Sequence, residues 1–259
     1  MYSTATSKKE LGFTSGLGLG SRGAAVKRLQ EWLNLHGNGT AMDGEFGPAT
    51  ELALKNFHKA KGVKPSSTLT PQAWDALVQP MTDALTNPGD APLTVSAACH
   101  NAANVHLSVH PLEAGGDNRG PWVRLYTGGN EGKEWRWCAG FVSFVMRQAC
   151  GWAGMAAPIP GTLSCDTLAA QGQLAKKFIA GKSLNNGAAA AAALGSCAVF
   201  LIRRTPGDWS HTGFAFNFNG STFETIEGNT TDDEGSSNGY EVCRRVRRLD
   251  GDKDFIRLD

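Results

Sequence analysis

Cys138 stands at the head of an apolar run, CAGFVSFVM, directly behind Trp135 and Trp137. A cysteine at the start of a helix meets unpaired N–H groups and the positive end of the helix dipole. Both favour the thiolate, which is the nucleophilic form. The same position also suits an inert core thiol, because free cysteine packs as a small hydrophobe. A nucleophile requires a base, and the base requires a partner that orients it. Of the six histidines, His36 and His58 fall in N-terminal helical segments, and His100, His106 and His110 lie on or near another helix. His211 differs: it opens a strand-like segment, SHTGFAF, and Glu227-Gly228-Asn229 closes the next one.

Whether His211 and Glu227 can meet depends on the turn between them, where Asn219-Gly220 is a strong hairpin signal. A two-residue Asn219-Gly220 turn would set Phe218 opposite Ser221 and Glu227 opposite Thr212, which points Glu227 away from His211. A three-residue turn, Phe218-Asn219-Gly220, would set His211 directly opposite Glu227. The pairing therefore predicts an odd-length turn or a compensating bulge. On that reading Gly213 and Ala215 share the His211 face and leave room for the Cys138 helix.

The elements that must carry these residues follow from periodicity. SRGAAVKRLQEWLNLHG and PATELALKNFHKAKG have helical spacing, with Ser21 as a candidate N-cap, Pro48 at a helix start and glycines at the ends. A shorter helix, QAWDALV, follows Pro71. Residues 80–93 are rich in proline and turn formers and read as a linker. Beyond it, TVSAACHNAANVHLSV and the Cys138 segment read as helices, while CAVFLIRR, SHTGFAFNF, NGSTFETIEG and YEVCRRVRRL read as strands. The Ala-rich run 187–195 reads as a loop or short helix. Helices first and strands last predict an α+β arrangement.

The 259 residues suggest two domains. Lys and Arg number 25 against 24 Asp and Glu, which excludes a strongly basic nucleic-acid binder. No segment has the length of a membrane span, so membrane insertion is not expected. The first residues, MYSTATSKKELGFTSG, show neither an apolar core nor a small-residue cleavage site, so the expectation is synthesis in the cytoplasm without a signal peptide. The six cysteines form no CxxC pair and no metal-ligand spacing. The acidic run Asp232-Asp233-Glu234 lacks the spacing of a calcium loop, and no metal or other cofactor is expected.

Two resemblances follow from these residues. GSRGAAVKRLQEWLN, DGEFGPATELALKNFHKAKGV and LTPQAWDAL resemble the peptidoglycan-binding domain that accompanies many cell-wall hydrolases, over about residues 15–80. WCAGFVSFVMRQA, SHTGFAF and TIEGNT, in that order, resemble the CHAP family of cysteine amidases and endopeptidases, a papain-like group related to NlpC/P60. DNRGPWVRLY is similar to the segment before the nucleophile in one branch of that family. Where CHAP proteins carry Gly-Asp before the histidine strand, this chain has Gly195-Ser196-Cys197.

The resemblances imply a three-helix peptidoglycan-binding bundle at 15–80, a linker at 81–93, and a papain-like domain at 94–259 with helices on an antiparallel sheet. They imply Cys138 as nucleophile, His211 as base and Glu227 as its orienter, with Asn229 assisting or replacing Glu227. Trp137, Trp209, Asn118 and Arg119 are expected at the substrate. The expected activity is hydrolysis of a peptidoglycan amide bond, as muramoyl-alanine amidase or peptide endopeptidase. The enzyme would reach the wall or periplasm as a phage lysin or as a secreted antibacterial effector; an effector would have an immunity protein as a further partner. A non-catalytic wall-binding protein with a degenerate papain-like domain is the alternative.

Overall fold

The computed structural model describes residues 1–62, 64–89, 94–184, 192–231 and 238–259. The acidic run 232–234, residues 90–93 of the expected linker and residues 187–191 of the Ala-rich run lie outside the described residues. Contacts divide the chain into two units, one of Met1, Ser3–Leu85 and Leu112–Lys133, the other of Tyr2, Thr86–Pro111 and Glu134–Asp259. Among the described residues no helix is long and apolar enough to cross a membrane.

The first unit contains α1 (Ala5–Leu11), α2 (Ala24–Leu35), α3 (Pro48–Lys61), α4 (Pro71–Leu85) and α6 (Pro121–Thr127). Val26, Leu29 and Leu33 of α2, Leu54 and Phe57 of α3, and Trp74 and Leu77 of α4 form its buried stripe. Buried Gln30 ties α2 to the DGEFG turn. Its Nε2 donates to Asp43 Oδ1, the Glu45 carbonyl and Thr50 Oγ1, and its Oε1 accepts from the Gly44 amide. The two halves of the sequence motif are thus joined by one side chain whose hydrogen-bonding groups are all engaged.

Two boundaries differ from the sequence reading. The third expected helix does not stop near Val78: α4 runs through Pro80 to Leu85, so the first residues of the expected 81–93 linker are helical. Burial of Met81, Ala84 and Leu85 offsets the hydrogen bond that proline cannot make. Residues 112–133, expected in the C-terminal domain, pack within the first unit. There Arg124 of α6 pairs with Glu10, Glu31 and Glu131, at 2.8, 2.7 and 2.7 Å.

The second unit is α+β. It holds α5 (Val95–Ser108), α7 (Cys138–Ala153) and α8 (Cys165–Leu174) with β1 (Phe178–Ile179), β2 (Cys197–Thr205), β3 (Asp208–Asn219), β4 (Thr222–Thr230), β5 (Glu241–Arg248) and β6 (Lys253–Arg257). The strands form one antiparallel sheet in the order β1-β6-β2-β3-β4-β5. Helix α7 is apolar nearly all round and buries Phe141, Val142, Phe144, Val145 and Met146, as a central helix must. Phe214 meets Phe141 edge-on, and a Cβ on Gly228 would collide with Trp137 and Phe141. Phe214 of β3 and Gly228 of β4 therefore face the body of α7. Ala215 packs instead with Ala198, Phe200, Phe223 and Phe255, on the opposite face of the pleat. The expectation that Gly213 and Ala215 make room for the Cys138 helix is thereby corrected.

Candidate active site

Cys138 is the first residue of α7, and the cap residue Trp137 offers no side-chain hydrogen bond to the helix end. The amide of Ala139 points to the Cys138 sulfur and favours its charged form. Asn229 fixes the entry to this helix: its Oδ1 accepts from the Trp137 amide at 3.2 Å, and its Nδ2 donates to the Gly239 carbonyl at 2.7 Å. A register shift between Glu227 and Thr230, with Asn229 at φ 57, turns this residue out of the regular strand alternation. Asn229 thus holds the backbone before the sulfur, while Glu227 is the residue that engages His211.

The β3–β4 hairpin solves the register problem in a way the sequence left open. Asn219 pairs with Thr222, leaving Gly220-Ser221 as the turn, and a bulge follows between Phe216 and Asn219 with Asn217 at φ 50. Beyond the bulge, Phe214 pairs with Ile226. One step on, Gly213 stands against Glu227, and His211 lies diagonal to Glu227 on the same face. The direct opposition of His211 and Glu227 is corrected to this diagonal, while a bulge does restore the shared face. A Cβ on Gly213 would lie 2.8 Å from Glu227 Cγ and 2.8 Å from the Phe200 ring. The missing side chain at 213 is the space that Glu227 crosses to reach His211.

His211 Nε2–H donates to Glu227 Oε2 at 2.8 Å, and both side chains are fully buried. Glu227 also accepts from Arg247 through Nε to Oε1 and Nη2 to Oε2, each at 2.5 Å, and from Thr225 Oγ1 at 2.5 Å. Burial alone would push this carboxyl up; Arg247 and His211 reverse that and bring it down to about 2. With Nε2 committed, Nδ1 is the nitrogen left for the sulfur. Nδ1 is buried and forms no aligned hydrogen bond, yet the Cys138 sulfur is near enough for each group to hold the other's charge. Burial opposes protonation of His211, but the sulfur and then Glu227 overcome it and raise the imidazole to about 9.

Cys165, which no sequence pattern singled out, lies beside Cys138. Its Sγ is 3.8 Å from Cys138 Sγ. The Cys165 thiol contributes most to lowering Cys138 well below the usual thiol range; His211 and the Ala139 amide add to it, against burial. The two thiols are shifted in opposite directions, Cys138 down and Cys165 up. The remaining histidines of this unit serve other contacts: His106 is buried on Gln148 and depressed to about 4, His100 stacks on Phe216, and His110 pairs with Glu241.

Of the four residues expected at the substrate, Trp137 and Trp209 belong to the second unit. Trp137 is fully buried against Gly228, so it presents no face to a ligand. Trp209 is nearly buried: its indole N–H donates to Asp254, its amide to Asp166, and Phe178 packs on its ring. Asn118 and Arg119 belong to the first unit. Asn118 is buried, with its amide nitrogen donating to the Lys133 carbonyl and its backbone N–H to Glu113, and Arg119 is exposed. Tryptophan and asparagine pattern alike in cores and in clefts, so the sequence could not separate these roles. Arg247, Thr225 and Cys165 were the residues missed. For Arg247 a signal existed: it shares strand parity with the residue opposite Glu227, Cys243.

Among the described residues no group of three or more His, Cys, Asp or Glu side chains is placed to hold a metal ion. The arrangement can deprotonate a thiol internally and store the proton on an imidazole braced by a carboxylate. Cys138 retains 4% of its surface in contact with solvent, so the approach to it is narrow.

Residues 22–77 match the family model for a peptidoglycan binding domain. The match covers α2, α3 and the first turns of α4 up to Leu77, and it supports association with the cell wall. Neither a curated protein nor a solved structure matches the chain.

Proposed function

We propose that the chain is a peptidoglycan hydrolase that cuts an amide bond through Cys138, His211 and Glu227, within a papain-like second unit of the CHAP type. The observation that carries this reading is the buried series of contacts from Cys138 through His211 to Glu227 and Arg247. An inert core thiol has no use for a braced imidazole, and leaving such groups in an apolar interior is costly. The match at residues 22–77 to a peptidoglycan binding domain supports peptidoglycan as the substrate class.

In this mechanism the Cys138 thiolate attacks the amide carbonyl. Backbone N–H groups at the start of α7 stabilise the oxyanion; loss of one such donor typically costs about 10²–10³ in rate. The His211 imidazolium protonates the leaving amine, and water then releases the acyl group from sulfur. Glu227 keeps the imidazole oriented and its charge balanced, and Asn229 holds the backbone that carries the sulfur. The first unit raises local concentration at the wall; linked modules gain roughly 10²–10⁴ in avidity when both sites engage. Delivery as a lysin or as an injected effector, the latter with an immunity protein, belongs to the same reading.

Mass spectrometry of muropeptides after digestion of purified sacculi tests it. A freed lactyl group on muramic acid identifies an amidase, and cut stem or cross-bridge peptides identify an endopeptidase. No product from the intact chain, at any pH between 5 and 9, contradicts the proposal and favours a wall-binding protein without catalysis.

A further inference from the structure

We infer that Cys165 is a resolving cysteine for Cys138, so that oxidation of Cys138 by a small peroxide ends in a reversible Cys138–Cys165 disulfide. The inference rests on the same thiolate as the proposed hydrolase reading, but not on what that thiolate cuts.

Geometry carries it. The two sulfurs are 3.8 Å apart, and a disulfide requires about 2.05 Å, so closure needs a movement of only about 2 Å between first-turn residues of two helices. The spacing is maintained from several directions. Ser143 of α7 accepts from the Thr162 amide and donates to the Thr162 carbonyl, which clamps the chain entering α8. Gln171 accepts from the Gly161 amide, and Asp166 accepts from the Trp209 amide of β3. Cys165 is therefore fixed beside the nucleophile and cannot drift away when that sulfur is oxidised. Access is narrow, with 4% of Cys138 and 9% of Cys165 exposed, which admits a small neutral oxidant before a bulky one. Cys99 and Cys150 also interact thiol to thiol and supply an internal comparison.

The chemistry balances in two steps. The Cys138 thiolate attacks one oxygen of hydrogen peroxide; the S–O bond forms, the O–O bond breaks and hydroxide leaves, so sulfur loses two electrons and becomes a sulfenic acid. The Cys165 sulfur then attacks that sulfenic sulfur. The S–S bond forms, the S–O bond breaks, and the Cys165 proton departs with the hydroxide as water. Two thiol equivalents from a reductant restore both cysteines. While the bond persists, the nucleophile is protected from irreversible over-oxidation and is catalytically silent.

The full chain treated with stoichiometric hydrogen peroxide, digested without reductant and mapped by mass spectrometry tests the inference. The expected product is a linked peptide joining 138 to 165, two hydrogens lighter, with Cys138 alkylation lost and then restored by dithiothreitol. In Cys165→Ser the same dose leaves a sulfenic acid at Cys138 that dimedone traps, and more peroxide drives it to a sulfinic acid that dithiothreitol does not reverse. Wild-type protein that forms no 138–165 link overturns the inference, whether Cys138 goes straight to sulfinic acid or stays reduced while Cys99 and Cys150 link. A parallel sacculus digestion separates the two readings. Reduced protein that cuts no wall but forms the link sinks only the hydrolase proposal; protein that cuts but never links sinks only this one.

Discussion

Glu227 reaches His211 across the vacant side-chain position of Gly213: the two side chains meet at 2.8 Å although a diagonal step in the sheet separates them. The carboxylate is fully buried, and its charge survives there because it is shared among His211, Arg247 and Thr225.

Glu227→Gln removes the charge and turns an amide N–H₂ toward Arg247 or His211. A loss of roughly 10⁴ in turnover is expected, the scale seen when the carboxylate that orients a catalytic histidine is replaced by its amide. The linked stability has a definite sign. The Glu227 carboxyl is lowered to about 2, so its contribution is present above the ordinary carboxylate range and is lost as pH falls from about 4.5 to 2. His211 is raised to about 9, so its contribution is complete below pH 6.5 and is lost as pH rises toward 9. Thermal melts across pH should show both declines in wild-type protein. Both should flatten in Glu227→Gln, and identical curves for the two proteins would contradict the assignment.

Arg247 acts through Glu227 and is a positioning residue. Arg247→Met takes two donors and the counter-charge from a buried carboxylate, so Glu227 protonates at higher pH and releases its hold on the imidazole. The acid limb of the kcat/KM profile should move upward by about one pH unit or more. Arg247→Lys keeps the charge but loses the fork, and should fall between the two. Arg244→Met, which removes the exposed partner of Glu224, should leave the limb in place. An unmoved limb in folded Arg247→Met refutes this role.

Asn229 offers a contrast. Asn229→Ala loses the bonds to the Trp137 amide and the Gly239 carbonyl and puts alanine at φ 57. A cost of about 2–3 kcal/mol in denaturant unfolding is expected. Turnover should drop while both limbs of the pH profile hold still, because His211 and Glu227 remain paired. A shifted limb would mean that Asn229 touches the imidazole after all.

In the first unit, Arg124→Met leaves Glu10, Glu31 and Glu131 without their shared cation. Lys27 alone then faces Glu31 and Glu131. Breaking a buried pair of this kind typically costs about 3–5 kcal/mol. Lower affinity for sacculi in a pelleting assay should follow the loss of fold, and unchanged thermal stability would show that the cluster is not structural.

The sequence disclosed what is local. The Cys138 helix start was legible because a long apolar run must form a buried helix. The shared face of His211 and Glu227 was legible because a strand alternates with period two, so only the parity of the turn was in question. The particular offset was not, because it depends on Asn217 adopting a left-handed conformation that asparagine permits but does not require. The extension of α4 past Pro80 was hidden for a related reason: proline argues locally for a stop, and the burial of Met81 and Leu85 overrules it only once the unit is assembled. Cys165 and Arg247 reach their partners through contacts between distant segments, which spacing along one chain does not encode. Trp137 and Asn118 are buried, and their types gave no sign of it because the residues that line clefts also fill cores.

The central claim is that Cys138 is an anion held by His211, and the rate of Cys138 alkylation against pH measures it directly. Iodoacetamide applied to the native chain, with each cysteine quantified by mass spectrometry, should label Cys138 first among the six and should do so at a pH below the range in which an ordinary thiol reacts. His211→Ala should abolish that low-pH reactivity and return Cys138 to the behaviour of an ordinary thiol. If Cys138 lags behind the other thiols at every pH, or reacts identically with and without His211, the account is wrong.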